Sequence, residues 1–460
     1  MFKYVDLFAG CGGLSLGVER AGGELVFAVE KSEMAAHTFF TNFVNGSSNL
    51  AEWHDHLRAS IALQAKRKVV VAPLRSVLDD ESTVRELSLN EVDVVVGGPP
   101  CQGFSLAGRR NQHDVRNTLP WEFLEFVSLT KPKVVVIENV VGMNHRFSDQ
   151  EEAPFVQLQQ ALRETDPGYT VQGVAVNALH YGAPQNRPRL MIIGLRNDLA
   201  REKSIKSTGT LWRSTFADEV QNNDVPALAP RPAVDRAGSP TISDAIGDLQ
   251  SDPPPVNAAR AKTVREWSKS RAAWGLPSPD ASDGEIANQT PRVHRERTQQ
   301  RFRVYQWLQR NGLQPRVISQ LAKSGEAGED RARAAISSAN YPATAPDGTI
   351  LANSSSEMLQ LLLDLRTRKH SQKALAWNEP ARTVVTLPDD YVHPSEPRIF
   401  TVRELARFQG FPDDFEFVGK ETTGSLRRRV EVPQYSQVGN AVSPYLSFAI
   451  GNLLESLIGE

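Results

Sequence analysis

Over the first 196 residues, short β-branched runs recur at 4–8, 25–29, 68–72, 92–96, 133–137, 171–176 and 190–195, with helical periodicity between most of them. Continuous apolar runs of this length suit strands covered on both faces, and strand–helix alternation is the pattern of a parallel sheet wound with helices on both sides. The expected fold class is α/β, a doubly wound, Rossmann-like sheet. The last two runs, joined around Gly182-Ala183-Pro184, can instead pair as an antiparallel hairpin at the sheet edge.

After residue 196 the pattern breaks. Residues 201–260 are rich in Pro, Ala, Asp and Ser, with Asp252-Pro253-Pro254-Pro255 as a breaker, a composition that favours extended or mobile chain. Helical periodicity returns over 300–309 and 355–365. Thr401 and Glu404 stand at capping-box spacing and open a helix that Gly410-Phe411-Pro412 closes. The final run, 442–457, reads as an amphipathic helix expected to pack on the sheet face beside the first strand. These shifts divide the chain into a catalytic and cofactor-binding domain at 1–196, a smaller irregular lobe at 197–376, and a return to the first domain at 377–460.

A formal charge of −2 gives the whole molecule no basic signature, but the charge is uneven. Residues 256–316 hold twelve Lys/Arg against five Asp/Glu, interspersed with Trp267, Trp274, Tyr305 and Trp307. That fits phosphate contacts with a few base contacts, through Arg292, Arg295 and Arg297 among others. Taken singly, each aromatic is better read as core of the small lobe. Two cysteines, Cys11 and Cys101, are too few for a disulfide framework. With no signal peptide and no apolar run of membrane-spanning length, a monomer in a reducing cytoplasm is expected.

Chemistry-bearing residues cluster where the strands end. The first strand runs into Phe8-Ala9-Gly10-Cys11-Gly12-Gly13-Leu14-Ser15. Glycines there let backbone approach a ligand, but Ser15 stands where a dinucleotide fingerprint needs glycine. With Glu30 closing the second strand to meet a ribose diol, the pair fits a nucleoside cofactor without a required pyrophosphate, such as S-adenosylmethionine. The run 92–96 stops in Gly97-Gly98-Pro99-Pro100-Cys101, which presents a thiol at the carboxyl edge of the sheet. Glu138 closes the next strand, so a nucleophile and a carboxyl group sit on neighbouring strand ends. Arg187 and Arg189 alternate on an extended segment, as anion clamps do.

The order of these motifs resembles the DNA (cytosine-5)-methyltransferase family. The matching segments are 6–13, Glu30, 98–105, Glu138-Asn139-Val140, 185–189, 403–412 and Gln437-Val438-Gly439-Asn440-Ala441-Val442. The resemblance implies methyl transfer from S-adenosylmethionine, without a metal, to C5 of a cytosine flipped out of double-stranded DNA. Cys101 would add to C6, Glu138 would contact N3 and the exocyclic amine, Arg187 would contact the target phosphate and hold its loop, and Arg189 would support the base and Glu138. The cofactor pocket would comprise Phe8, Gly10, Cys11, Gly12, Gly13, Leu14, Glu30, Pro99, Asn117, Leu119, Asn440, Ala441 and Val442. Gln102 and Ser105 would touch DNA, and 197–376 would be the target recognition region.

The chain departs from the family at two cofactor positions. Pro73 stands where an acid usually meets the adenine amino group, with Asp79 or Asp80 as substitutes, and Lys31 replaces an aromatic. Three other readings follow from the same residues: a tRNA cytosine-5 methyltransferase, a catalytically silent DNA-binding homologue, and a nicotinamide oxidoreductase. Intact Cys101, Glu138, Arg187 and Arg189 weigh against the second, and Ser15 against the third. The resemblance also implies a setting in restriction–modification or phage defence.

Overall fold

The structure, a computed structural model, describes residues 1–46, 49–83, 92–100, 118–144, 152–221, 224–274, 276, 286–323, 325–423, 427 and 431–459. Its centre is one eight-stranded sheet: β1 (Phe2–Leu7), β2 (Gly23–Val29), β3 (Val69–Val70), β4 (Val94–Gly97), β5 (Val134–Asn139), β6 (Tyr169–Asn177), β8 (Pro188–Arg196) and β9 (Trp212–Arg213), with the two-residue β7 (Gln185–Asn186) outside it. The order is β3-β2-β1-β4-β5-β8-β6-β9. Strands β1 to β5 pair in parallel, whereas β8 runs antiparallel between β5 and β6. The antiparallel hairpin is therefore formed, with one correction: it does not end the sheet. Trp212 and Arg213, from the stretch expected as extended chain, add β9 outside β6.

Valines at 94, 95, 96, 134, 135 and 136 are fully buried, as strands covered on both faces require. The chain leaves β1 toward β2 and β3, then returns across β1 to lay down β4. The crevice between the carboxyl ends of β1 and β4 is thus a topological switch point, where such sheets bind ligands.

The final helix, Pro444–Ile458, packs against the first, Gly13–Arg20. Small residues permit the contact: a Cβ on Gly17 would lie 2.1 Å from Ser447 Oγ, and one on Gly451 2.5 Å from Ala21 Cβ. Ser447 Oγ instead donates to the Gly13 carbonyl at 2.9 Å. The capping box forms, with Thr401 as N-cap of helix Val402–Gln409 and Gly410 at φ 97 beyond its end.

A second apolar cluster builds the smaller lobe. Helices Glu296–Arg310 and Ser355–Leu365 contribute Phe302, Tyr305, Trp307, Met358 and Leu362, and the return segment contributes Phe400, Phe408 and Phe411. Tyr305 and Trp307 are buried, so their core reading holds. Trp267 is buried too, stacked on Tyr445 of the final helix at 3.9 Å between ring centres. The Arg20 guanidinium covers its ring at 3.6 Å and that of Trp274 at 4.3 Å. These tryptophans join the lobe to the sheet domain instead of facing a ligand.

Candidate active site

The turn after β1 is held from several sides. Ala9 N–H donates to the Val29 carbonyl and Gly12 N–H to the Ala9 carbonyl, each at 3.0 Å. Phe8 (φ 60), Gly10 (φ 59) and Gly12 (φ 98) all take left-handed backbone, so the chain bends sharply. A Cβ on Gly10 would meet open space, while one on Gly13 would lie 2.3 Å from the Val442 carbonyl oxygen. Ala441 and Val442 thereby wall the turn, and Asn440 before them is exposed.

Glu30 answers the turn from β2. Its carboxylate accepts from Gly10 N–H at 3.0 Å and Ser32 N–H at 2.6 Å. Burial pushes its pKa up, against the pull of those two donors. Each oxygen keeps a second lone pair for a ligand hydroxyl.

Beneath the turn lies Asp6, fully buried, with Oδ2 accepting from Ser15 Oγ at 2.7 Å. Burial, helped by the Glu30 charge and opposed by the Ser15 hydrogen bond, raises its carboxyl to about 7. The residue that argued against a dinucleotide thus ties the first helix to the end of β1. Asp6 was legible only as part of a motif, because burial is what makes it unusual.

The other cofactor expectations divide. Cys11 is corrected in its role: its Sγ donates to the Gln437 carbonyl at 3.7 Å inside the core, and burial raises the thiol to about 12. Only its backbone serves the turn. Leu14 is buried in the core, Phe8 and Leu119 are half-buried, and Pro99 is buried at the end of β4. Pro73 caps the short helix Leu74–Leu78 and is exposed, as is Lys31. Neither substitute acid fits: Asp79 pairs with Arg75 at 3.6 Å, and Asp80 accepts from Ser82 Oγ and Thr83 N–H. Asn117 lies outside the described residues.

On the β4 side, Asn139 Nδ2 donates to the Pro99 carbonyl at 3.1 Å and so ties β5 to the loop that leads to Cys101. A Cβ on Gly98 would lie 3.2 Å from Glu138 Oε2, which places that carboxylate directly against the loop. Arg189 Nε meets Glu138 Oε1 at 2.7 Å. Burial lowers the Arg189 pKa while Glu138 raises it, and the guanidinium stays charged because it begins so high. Cys101, Gln102 and Ser105 lie outside the described residues.

Arg187 is corrected in part. It is 1% exposed, and its guanidinium donates to the carbonyls of Val384 at 3.0 Å, Gly439 at 2.8 Å and Ala441 at 2.9 Å. It holds loops together and does not reach out to a phosphate. Gln185 extends the same lattice, donating to Gln409 Oε1 at 2.9 Å and accepting from Val384 N–H at 2.6 Å. Gln409 in turn donates to the Val438 carbonyl at 2.7 Å. Sequence order alone could not join 185–187, 384, 409 and 438–441.

In the smaller lobe, Arg295 and Arg297 are exposed and Arg292 is partly so. Arg292 stands 4.0 Å from both Asp389 and Glu421, and Arg297 donates to the Asp364 carbonyl at 2.5 Å. Among the described residues, no cluster of three His, Cys, Asp or Glu suits a metal, and no single helix is long and apolar enough to cross a membrane.

A family model described as C-5 cytosine-specific DNA methylase matches residues 2–456. The chain is 28% identical over 447 residues to Type II methyltransferase M.DdeI of Desulfomicrobium norvegicum, covering 97% of this chain and 86% of that protein. It is 28% identical over 477 residues to Type II methyltransferase M.AgeI of Thalassovita gelatinovora, covering 99% of this chain and 100% of that protein. A crystal structure whose description names a DNA modification methyltransferase encoded within a prophage (E. coli) superposes with TM-score 0.58 at 21% identity, covering 100% of both chains, which supports the fold. With a family match spanning nearly the whole chain, the protein belongs to the C-5 cytosine-specific DNA methylases and methylates cytosine at C5.

Proposed function

We propose that the chain methylates a flipped-out cytosine in duplex DNA through covalent addition of Cys101, with S-adenosylmethionine as methyl donor, in a restriction–modification setting, a reading supported by its similarity to proteins named Type II methyltransferases. The observation that carries this reading is the Glu138–Arg189 pair at 2.7 Å, set against the loop that leads to Cys101.

Cytosine C5 is a poor nucleophile. A thiolate adding to C6 makes C5 enamine-like; C5 then takes the methyl group, loses its proton, and the thiolate departs as the C5–C6 double bond returns. Glu138 at N3 stabilises the electron density that this addition pushes into the ring. Arg189 fixes the carboxylate rotamer, and Asn139 fixes the loop.

The cofactor residues present fit an adenosyl group in part. Open space at Gly10, the Glu30 carboxylate and the wall at Ala441 and Val442 suit a ribose and its chain. Among the described residues, Pro73 puts no acid where the adenine amine would be met, and Asp79 and Asp80 are engaged with Arg75, Ser82 and Thr83. When bound, S-adenosylmethionine supplies an electrophilic methyl on a sulfonium. Flipping the base out of the stack costs a few kcal/mol, which DNA contacts must offset.

The test is incubation of purified protein with labelled S-adenosylmethionine and either duplex DNA or tRNA. Label is expected in DNA only. Label in tRNA alone would overturn the DNA assignment, and label in neither would support a silent homologue.

A further inference from the structure

Asn288 turns the chain with left-handed backbone (φ 64), and residues 289–295 run from it, outside any helix or strand, as a segment fastened at both ends. Asn288 Nδ2 donates to the Phe417 carbonyl and its Oδ1 accepts from Phe417 N–H, both at 2.9 Å. Its own carbonyl accepts from Arg403 N–H at 3.0 Å. At the other end, helix Glu296–Arg310 begins at once, with Thr298 N–H on the Arg295 carbonyl at 2.8 Å. Side chains on extended backbone alternate, and here the alternation is visible. His294 turns inward, edge-on to Phe302 at 5.0 Å, while Val293 is 97% exposed.

A second basic segment lies beside it, which the sequence does not reveal. Arg297 and Arg301 donate to the carbonyls of Asp364 and Leu365, so helix Ser355–Leu365 ends next to this segment and delivers Arg366, Thr367, Arg368, Lys369 and His370 there. Asp389 joins the two, bonded to Lys369 Nζ at 2.8 Å and 4.0 Å from Arg292. Arg295, two residues after Val293, is exposed, as are Arg366 and Arg368 on the neighbouring segment. A lone valine between cations is too small for an apolar protein interface. It matches a groove floor flanked by phosphates, where an apolar side chain meets a thymine methyl.

We propose that Val293 is a specificity-determining residue that touches a base edge, with the 366–370 segment gripping the duplex backbone beside it. The inference rests on the DNA reading above. Asn186, next to Arg187, pairs with Arg382, seven residues before Asp389. Seven residues span at most about 25 Å, about seven base pairs of rise, so one duplex reaches both the patch and the catalytic loops.

The test compares the full-length wild type, Val293→Ser, and the double variant Arg366→Gln/Arg368→Gln in a host lacking cytosine methylation. Methylated positions are mapped by bisulfite sequencing, and duplex affinity is measured across salt concentrations. Val293→Ser is expected to relax the motif at one base position with the salt slope unchanged. The double variant is expected to keep the motif while its log–log salt slope becomes shallower by about two. A wild-type motif from Val293→Ser would overturn the base contact, and an unchanged slope from the double variant would overturn the backbone grip. A wild type that methylates RNA but no DNA would sink the DNA reading itself, and is recognised by the labelled-methyl assay.

Discussion

Arg189 Nε lies 2.7 Å from Glu138 Oε1, joining β8 to β5 where both side chains are about one-tenth exposed. A charge pair so withdrawn from water is strong only while both partners remain, because either one alone is a desolvated charge. Glu138→Gln should lower turnover by roughly 10²–10⁴, the range for losing an acid–base group. Arg189→Lys keeps charge but loses the planar guanidinium, and should cost at least about tenfold. The double variant should fall well short of the product of the two losses, since residues acting as a unit are not additive. Full additivity in single-turnover rates would mean the two act separately.

Cys101→Ser should abolish transfer while leaving the melting curve in place, because a hydroxyl is far less ionised than a thiol near neutral pH. Wild-type protein should form a denaturation-resistant adduct with duplex containing 5-fluorocytosine, and the serine variant none. Substantial turnover by the variant would end the covalent mechanism.

Arg187 should matter for stability before chemistry. Arg187→Met strands the carbonyls of Val384, Gly439 and Ala441 in a buried site, each costing about 1–3 kcal/mol if left unpaired. Urea unfolding should show a loss of at least about 2 kcal/mol. Arg187→Lys should recover little, since one ammonium cannot spread across three acceptors as the fork does.

Asp6 makes a prediction about pH. Burial raises its folded-state carboxyl to about 7, above the ordinary 3.8 of an aspartate, so the native state holds the proton more tightly than the unfolded chain. The unfolded state binds fewer protons between those values, and stability contributed by this group falls as pH rises from about 4 to about 7. Asp6→Asn keeps the acceptor for Ser15 and removes the titration. The wild type should therefore lose melting temperature relative to Asp6→Asn between pH 4.5 and 7.5, and parallel curves would refute the assignment.

Lobe exchange should separate scaffold from reader. Replacing 286–376 with the counterpart from a relative of different specificity should transfer the methylated motif. Replacing 197–376 removes Trp267 and Trp274 from the stack on Arg20 and Tyr445, and the chimera should melt at lower temperature. Equal melting of the two chimeras would show that the stack contributes nothing.

The amino-acid sequence by itself determined the strands, their terminal turns and the chemistry at their ends. Valine runs at 94–96 and 134–136 can bury only in a covered sheet, and the glycines and prolines after β1 and β4 stop the chain at one edge. Glu30 and Glu138 were legible because each follows such a run directly. Local patterning also fixed the capping box at Thr401 and helix Ser355–Leu365. Only the tertiary structure decided what long-range contacts control: that Trp212 and Arg213 extend the sheet, that Cys11 is a core thiol, and that Arg187 spends its donors on carbonyls far away in sequence. Each of those outcomes depends on which segment lies opposite. The periodicity of a chain specifies which face of an element is buried, while the partner that buries it comes from elsewhere in the fold.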